Sequence, residues 1–215
     1  MLVRKIFIAW KKSEGARRYI IAKIKRNVSE GVTFDYCGDG FEKARKDGLE
    51  YFFGFQNVSG LTPLQVEQLL AQRVISKDRS GRESFLSFWE AENVEDAFDV
   101  LALTQGKLPT DNFEFLAKYF PKPGLHFVTD LAGISHLALD RDSVEAGDVL
   151  TYKREPKNEY DRNAVAIYKG ILKIGYIKQI HNQVFLHSTF RKPHLTVKAV
   201  DKNGKIKQIF VSVKF

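Results

Sequence analysis

The sequence has very little cysteine and no long apolar run. Cys37 is its single cysteine, which excludes an intramolecular disulfide and a thiolate zinc cluster. No stretch approaches the ~20 apolar residues of a membrane-spanning helix. The apolar stretch at the N-terminus is too short for a secretory signal peptide and has no small-residue cleavage site. We therefore expect a cytoplasmic protein without a membrane partner.

Patterns of catalytic chemistry are also missing. The histidines show no metal-ligand spacing, and the acidic segment 140–148 lacks the glycine and the closing glutamate of a calcium loop. Gly106-Lys107 lacks the earlier glycine of a phosphate-binding loop. No nucleophile elbow or dinucleotide fingerprint is present. The sequence therefore predicts that the protein is not an enzyme, with no catalytic residue, no metal site and no cofactor.

The charge is positive and unevenly distributed. The net charge of +8 combines +8 in residues 1–26, −10 in residues 27–149 and +10 in residues 150–215. A basic C-terminal third is typical of a protein with an anionic partner, most often nucleic acid. Charge alone leaves a second interpretation open, in which basic and acidic segments face each other within the protein.

The N-terminal part reads as strands followed by short helices. The hydrophobic patterns predict strands at 3–10, 18–25 and 32–37, the first two forming a hairpin. Thr62 and Pro63 are typical of the start of a helix over 61–73. Further short helices are predicted at 81–91, 93–106 and 111–120, where Asn93 could cap the second of these and Gly106 could end it.

The segment FPKPG at 120–124 predicts a linker, after which the sequence becomes rich in β-strands. The predicted strands are 126–134, 148–154, 163–168, 171–177, 194–200 and 205–215, with tight turns at Lys169-Gly170 and Asn203-Gly204. One helix is predicted at 178–190. We expect an α+β protein with a mixed N-terminal domain at 1–120 and a small OB- or SH3-like barrel at 121–215.

One loop of the predicted barrel combines an aromatic ring and a carboxylate. In KREPKNEYDRNAVAIY, Pro156 biases the preceding residue toward extended geometry and should end a strand. The following residues are turn-like, and 163–168 is rich in β-formers. Tyr160 and Asp161 therefore lie in a loop that leads into a strand, where functional residues are often found.

The C-terminal half resembles the HIRAN domain family. The resemblance rests on FVTDLAGISH (127–136), REPKNEYDRNAVAIY (154–168) and KIGYIKQIHNQV (173–184), which occur in the order and spacing of that family. It implies an OB-like barrel that binds DNA. Eukaryotic members, which are appended to fork-remodelling helicases, capture the free 3′ end of a single strand.

The resemblance also implies a set of DNA-binding residues. The ring of Tyr160 would stack on a base, and Asp161 would accept a hydrogen bond from the terminal 3′-hydroxyl. Asn158 and Lys178 would line the same pocket. The remaining candidates are basic or flank the first strand: Lys153, Arg154, Arg162, Ser135 and His136. DNA-binding members carry an Arg-Tyr pair where this chain has Ser135-His136, so a phosphate contact is lost while His136 can still stack.

The N-terminal part has a vaguer likeness to the N-terminal subdomain of Hip-type toxin kinases. It rests on VTFDYCGDG, the short helices and FDVLALTQGKLP. We expect a nucleic-acid-binding protein that recognises single-stranded DNA or free 3′ ends. The alternative is a non-catalytic interaction module with a protein partner in a toxin–antitoxin or defence system. A third, weaker alternative is an uncatalogued hydrolase.

Overall fold

The computed structural model of the protein describes residues 3–52, 61–186 and 192–215. The chain divides into two compact units, Met1–Lys118 and Tyr119–Phe215. The division falls close to the boundary that the sequence predicts at 120/121.

The N-terminal unit contains an antiparallel sheet and four helices within the described residues. Its strands are β1 (Lys5–Lys11), β2 (Arg18–Asn27), β3 (Gly31–Tyr36) and β4 (Phe113–Ala117), and its helices are α1 (Gly38–Lys46), α2 (Pro63–Ala71), α3 (Arg82–Phe88) and α4 (Ala97–Thr104). The strand order is β3-β2-β1-β4. The predicted hairpin of the first two strands is confirmed.

Two helix starts illustrate how local signals act in this unit. The Thr62 side chain accepts a hydrogen bond from the backbone N–H of Gln65, and the Gln65 side-chain oxygen accepts one from the backbone N–H of Thr62, so α2 begins with the capping box. The cap of α4 is Asp96, whose side chain accepts from the N–H of Asp99, and the prediction of Asn93 was wrong. Asp96 is also paired with Arg26 of β2, a long-range contact that the sequence does not reveal.

The prediction of a helix at 111–120 was wrong, because this segment contains strand β4. All five of its residues, Phe113–Ala117, are buried. They pair antiparallel with β1, with Phe115 opposite Ile8. Phe113-Glu114-Phe115 alternates between apolar and polar residues as a strand does. The apolar pair Leu116-Ala117 that follows interrupts the alternation. Helix α1, which the sequence analysis did not predict, packs on β2 so closely that a Cβ at Gly40 would lie 1.9 Å from the carbonyl oxygen of Ile20.

The C-terminal unit is a small, curled antiparallel sheet. Its strands are β5 (His126–Asp130), β6 (Val149–Arg154), β7 (Val165–Lys169), β8 (Leu172–Tyr176), β9 (His194–Asn203) and β10 (Lys205–Lys214), and a 3₁₀ helix spans Ile134–His136. The strand order is β5-β10-β9-β6-β7-β8. Gly204, with φ +74°, forms the predicted turn between β9 and β10, and Gly170, with φ +57°, the one between β7 and β8.

The two outer strands of this sheet meet and close it into a barrel. Ala132, just after β5, and Tyr176 of β8 exchange two backbone hydrogen bonds of 2.8 and 2.9 Å. Gly175 allows this approach, since a Cβ there would lie 2.9 Å from Leu131 Cβ, and its φ is +149°. The predicted α+β class and the small OB-like barrel are confirmed, and the glycine of the KIGYI motif has a structural role.

The predicted helix at 178–190 is shorter in the structure. The helix α5 spans Gln183–Leu186, and residues 187–190 lie outside the described part of the chain. Ile180 has a φ of +78°, which is incompatible with an α-helix. The buried side chains on either side of it, Lys178 and His181, contact β5 rather than following a helical face.

Candidate nucleic-acid interface

The loop between β6 and β7, residues 155–164, is a compact turn that we call the Tyr-Asp turn. The backbone N–H of Glu155 donates to the carbonyl of Ala164 at 2.9 Å, which closes the base of the turn. The side-chain oxygen of Asn158 accepts from the N–H groups of Tyr160 and Asp161 at 3.0 and 3.2 Å. Asn158 thus fixes the backbone that carries the aromatic ring and the carboxylate.

Both carboxylate oxygens of Asp161 have partners within the unit. Oδ1 accepts from the backbone N–H of Asn163 at 2.8 Å, and Oδ2 accepts from Nδ2 of Asn182 at 2.9 Å. Asn182 is fully buried and also donates to the carbonyl of Asn163 at 2.9 Å. Asp161 is therefore a turn-capping residue in a defined orientation. A carboxylate oxygen can accept more than one hydrogen bond, so this role leaves capacity for a further donor.

Tyr160 presents its ring to solvent from this turn. Its relative exposure is 87%, among the highest of the aromatic side chains in the described part of the chain. The remaining cations that the sequence predicts here, Lys153, Arg154 and Arg162, are exposed as well. The turn thus combines an accessible aromatic face with a basic rim, an arrangement suited to stacking a base and holding phosphates.

A polar cluster beneath the turn links it to the closing strand of the barrel. Glu155 accepts from Lys173 Nζ at 2.7 Å and from the Tyr176 hydroxyl at 3.0 Å, and Asn158 Nδ2 lies 3.3 Å from the same carboxylate. The Lys173 ammonium lowers the pKa of Glu155 below its usual range, and Glu155 in turn raises the pKa of Lys173. Glu155 is thus paired within the fold, and the carboxylates that flank Tyr160 in the turn are the exposed Glu159 and the hydrogen-bonded Asp161.

Ser135 and His136 lie exposed on the 3₁₀ helix that follows the barrel closure. Tyr176 connects this segment with the Tyr-Asp turn. Its backbone pairs with Ala132, a Cβ on Gly133 would lie 3.2 Å from its ring, and its hydroxyl reaches Glu155. Both predicted parts of the site therefore rest on one side chain, although the structure gives no direct contact between His136 and Tyr160.

Lys178 is not part of the exposed surface around the Tyr-Asp turn. It has no solvent exposure, and its ammonium forms a buried ion pair with Asp130 of β5. The nearby His181 ring accepts from or donates to Thr129 at 2.9 Å and lies 5.3 Å from the rings of Tyr119 and Phe127. A lysine this deep in the core does not line a solvent-accessible site, so we do not include Lys178 in the interface.

Sequence analysis missed Asn182, Lys173 and Tyr176. Asn182 follows Asp161 by 21 residues and belongs to a segment that the sequence predicts as helix, so no local pattern relates the two. Tyr176 belongs to the KIGYI motif, and no local pattern relates its hydroxyl to Glu155 of the turn.

In residues 3–52, 61–186 and 192–215, no group of three or more His, Cys, Asp or Glu side chains is placed to hold a metal ion. No helix in those ranges has the length and apolarity needed to cross a membrane.

The closed antiparallel barrel with its exposed Tyr-Asp turn defines a small OB-like domain. Residues 106–202 match the HIRAN domain, and we use that name for this part of the chain. The match implies DNA binding by this part of the chain. The match begins in the N-terminal unit, shortly before β4, and ends in β9.

Solved structures similar to the chain include the HIRAN domain of human HLTF. It is 14% identical over 41% of this chain and 74% of that domain, with a TM-score of 0.34. No curated protein matches the chain. The likeness of the N-terminal half to Hip-type toxin kinases is not addressed by these matches and stays a prediction.

Proposed function

We propose that the HIRAN domain of this chain binds single-stranded DNA and captures free 3′ ends at the Tyr-Asp turn, without catalysing a reaction. The observation that carries the proposal is the exposed ring of Tyr160 beside a carboxylate held by Asn182 and Asn163. The ring supplies a stacking face for any base. The carboxylate accepts a hydrogen bond from a terminal hydroxyl and repels a terminal phosphate.

The basic rim supplies the sequence-independent part of binding. Lys153, Arg154 and Arg162 are exposed on or beside the turn, and residues 150–215 carry a net charge of +10. Arginine and lysine contacts to phosphates release counterions, so their contribution depends steeply on salt. The contribution of base stacking depends far less on salt concentration. The two contributions can therefore be separated by ionic strength.

Binding of a fluorescent single-stranded oligonucleotide should weaken as salt is added. We expect log K to fall linearly with log salt concentration, with a slope of about −0.7 for each phosphate contact on a single strand. Fluorescence anisotropy of the full chain from low to physiological salt measures this slope. A flat titration would contradict a nucleic-acid partner and would favour the alternative of a protein-interaction module.

Asp161→Ala should reduce the preference for a free 3′-hydroxyl over a 3′-phosphate. The wild type is expected to bind the hydroxyl end more tightly, whereas the variant should bind the phosphate-blocked end as well as the wild type or better. The physical reason is that the substitution removes both a hydrogen-bond acceptor and a negative charge. The measurement is the ratio of Kd values for two oligonucleotides that differ only at the 3′ end.

Asn182→Ala is the matched control for this experiment, because it removes a support of the Asp161 carboxylate and leaves its charge in place. If Asp161 only caps the turn, both variants should lose affinity for both oligonucleotides together, with a lowered melting temperature. A selective change of the ratio in Asp161→Ala alone supports direct contact with the 3′ end. A wild type that does not distinguish the two ends would show that end capture is wrong.

A further inference from the structure

We propose that a basic cleft in the N-terminal unit binds a phosphodiester group of a nucleic-acid strand, giving this unit a contact of its own in addition to the HIRAN domain. The cleft has a volume of about 300 Å³ and lies between the start of β2 and the end of α1. Its lining consists of Arg17, Tyr19, Lys43, Lys46 and Asp47.

The cleft carries an excess of positive charge. Arg17, Lys43 and Lys46 are all exposed, and Asp47 is the one carboxylate in the lining. Asp47 accepts a hydrogen bond from the neutral Tyr19 hydroxyl at 3.1 Å. In the described part of the chain, no carboxylate lies within 4.0 Å of the charged nitrogens of the three cations. Three cations around one shallow, solvent-open depression attract a phosphate.

Basic residues near a helix C-terminus often serve only the helix dipole. In α1 the side chain of Arg45 turns to the segment after the helix, where its guanidinium donates to the carbonyls of Leu49 and Glu50 and lies 4.6 Å from the Tyr51 ring. Lys43 and Lys46 line the cleft instead, together with Arg17 from a different element. Convergence of two elements indicates a site rather than a solvated helix end.

The floor of the cleft is held in place before any ligand binds. The Tyr19 ring stacks with Trp10 at a centroid distance of 6.3 Å, and the Arg17 guanidinium lies 5.7 Å from the same ring. The tight approach of Gly40 to Ile20 fixes α1 against β2. The backbone positions of the cleft are thus set before binding, and the conformational entropy lost on binding is that of the exposed cation side chains.

The test is the double variant Lys43→Gln/Lys46→Gln in the full chain, with a single-stranded oligonucleotide as the probe. We expect weaker binding by a similar factor for 3′-hydroxyl and 3′-phosphate ends, since the cleft contacts the strand and not its terminus. The slope of log K against log salt should become less negative by about 0.7 for each lost phosphate contact. Lys77→Gln/Arg79→Gln makes the same change of charge at exposed positions outside the cleft, and should leave the slope unchanged.

The outcomes separate this proposal from the function proposed for the HIRAN domain. If Lys43→Gln/Lys46→Gln titrates like the wild type while Tyr160→Ala binds weakly, the cleft proposal is wrong and the HIRAN proposal stands. If instead Lys43→Gln/Lys46→Gln binds weakly and Tyr160→Ala titrates like the wild type, the cleft proposal stands and the proposed role of the Tyr-Asp turn is wrong. If inorganic phosphate at low concentration shifts the NMR signals of the cleft and the oligonucleotide does not, the ligand is a small phosphate compound and the proposal is overturned.

Discussion

Replacing Asp130 with alanine is expected to lower the free energy of unfolding of the HIRAN domain by about 3–5 kcal/mol, because the Lys178 ammonium is then left buried without its counter-charge. Asp130 is 4% exposed and Lys178 is 0% exposed. Lys178→Met should also be costly, since it removes the ammonium that pairs with the buried Asp130 carboxylate. The double variant Asp130→Leu/Lys178→Met removes both charges and should recover much of the loss.

The design of this experiment follows from the position of the tryptophans. Trp10 and Trp89 both belong to the N-terminal unit, so tryptophan fluorescence provides an internal reference that should change little. Hydrogen exchange of residues in β5 and β10, which pair with each other, reports the HIRAN domain itself. A stable Lys178→Met variant with weakened DNA binding would contradict the structure and restore Lys178 as a DNA contact.

The strands of the barrel could be predicted because their signals are local. Asn203-Gly204 supplies the positive φ that a tight hairpin requires, and Ile209, Val211 and Val213 of β10 all point into the core. The same holds for the Tyr-Asp turn, where Pro156 ends a strand and Asn158 organises the next residues. Signals of this kind lie within a few residues of the structure that they determine.

The sequence predictions that were wrong or incomplete involve residues whose partners are distant in sequence. Strand β4 is strand because it pairs with β1, about 100 residues earlier, and not through any turn of its own. Lys178 resembles a surface lysine in sequence, and only the fold shows that Asp130, 48 residues away, lies opposite it. Asn182 is missed for the same reason, because its partner in the turn is 21 residues earlier.

The candidate site shows the same difference between local sequence signals and contacts between distant residues. The exposed elements, Tyr160 and the basic rim, follow from the motif and its loop position. The elements that hold them, Asn182 and the Glu155–Lys173–Tyr176 cluster, are contacts between strands. Tertiary support of this kind holds the backbone that carries Tyr160, so that less binding free energy is lost in ordering the turn when a ligand binds.

Tyr160→Ala should weaken binding of single-stranded DNA by about 1–3 kcal/mol, which corresponds to roughly 5- to 150-fold in Kd, because one base loses its stacking face. The substitution should hardly affect stability, since the side chain is 87% exposed and exposed positions usually change the free energy of unfolding by less than about 0.5 kcal/mol. Anisotropy titrations at fixed salt, together with melting temperatures, measure both quantities.

Two variants make this prediction specific to the ring. Tyr160→Phe retains the stacking face and should bind nearly as well as the wild type, so a loss equal to that of Tyr160→Ala would assign the effect to the hydroxyl. Ile171→Ala removes a fully exposed apolar side chain, 101% accessible, from the β7–β8 turn at the other end of β7 and should leave binding unchanged. Stacking is nearly independent of salt, so the ratio of Tyr160→Ala to wild type should hold across a salt titration while both affinities fall. If the ratio instead disappears at high salt, Tyr160 acts by orienting the basic rim and not by stacking on a base.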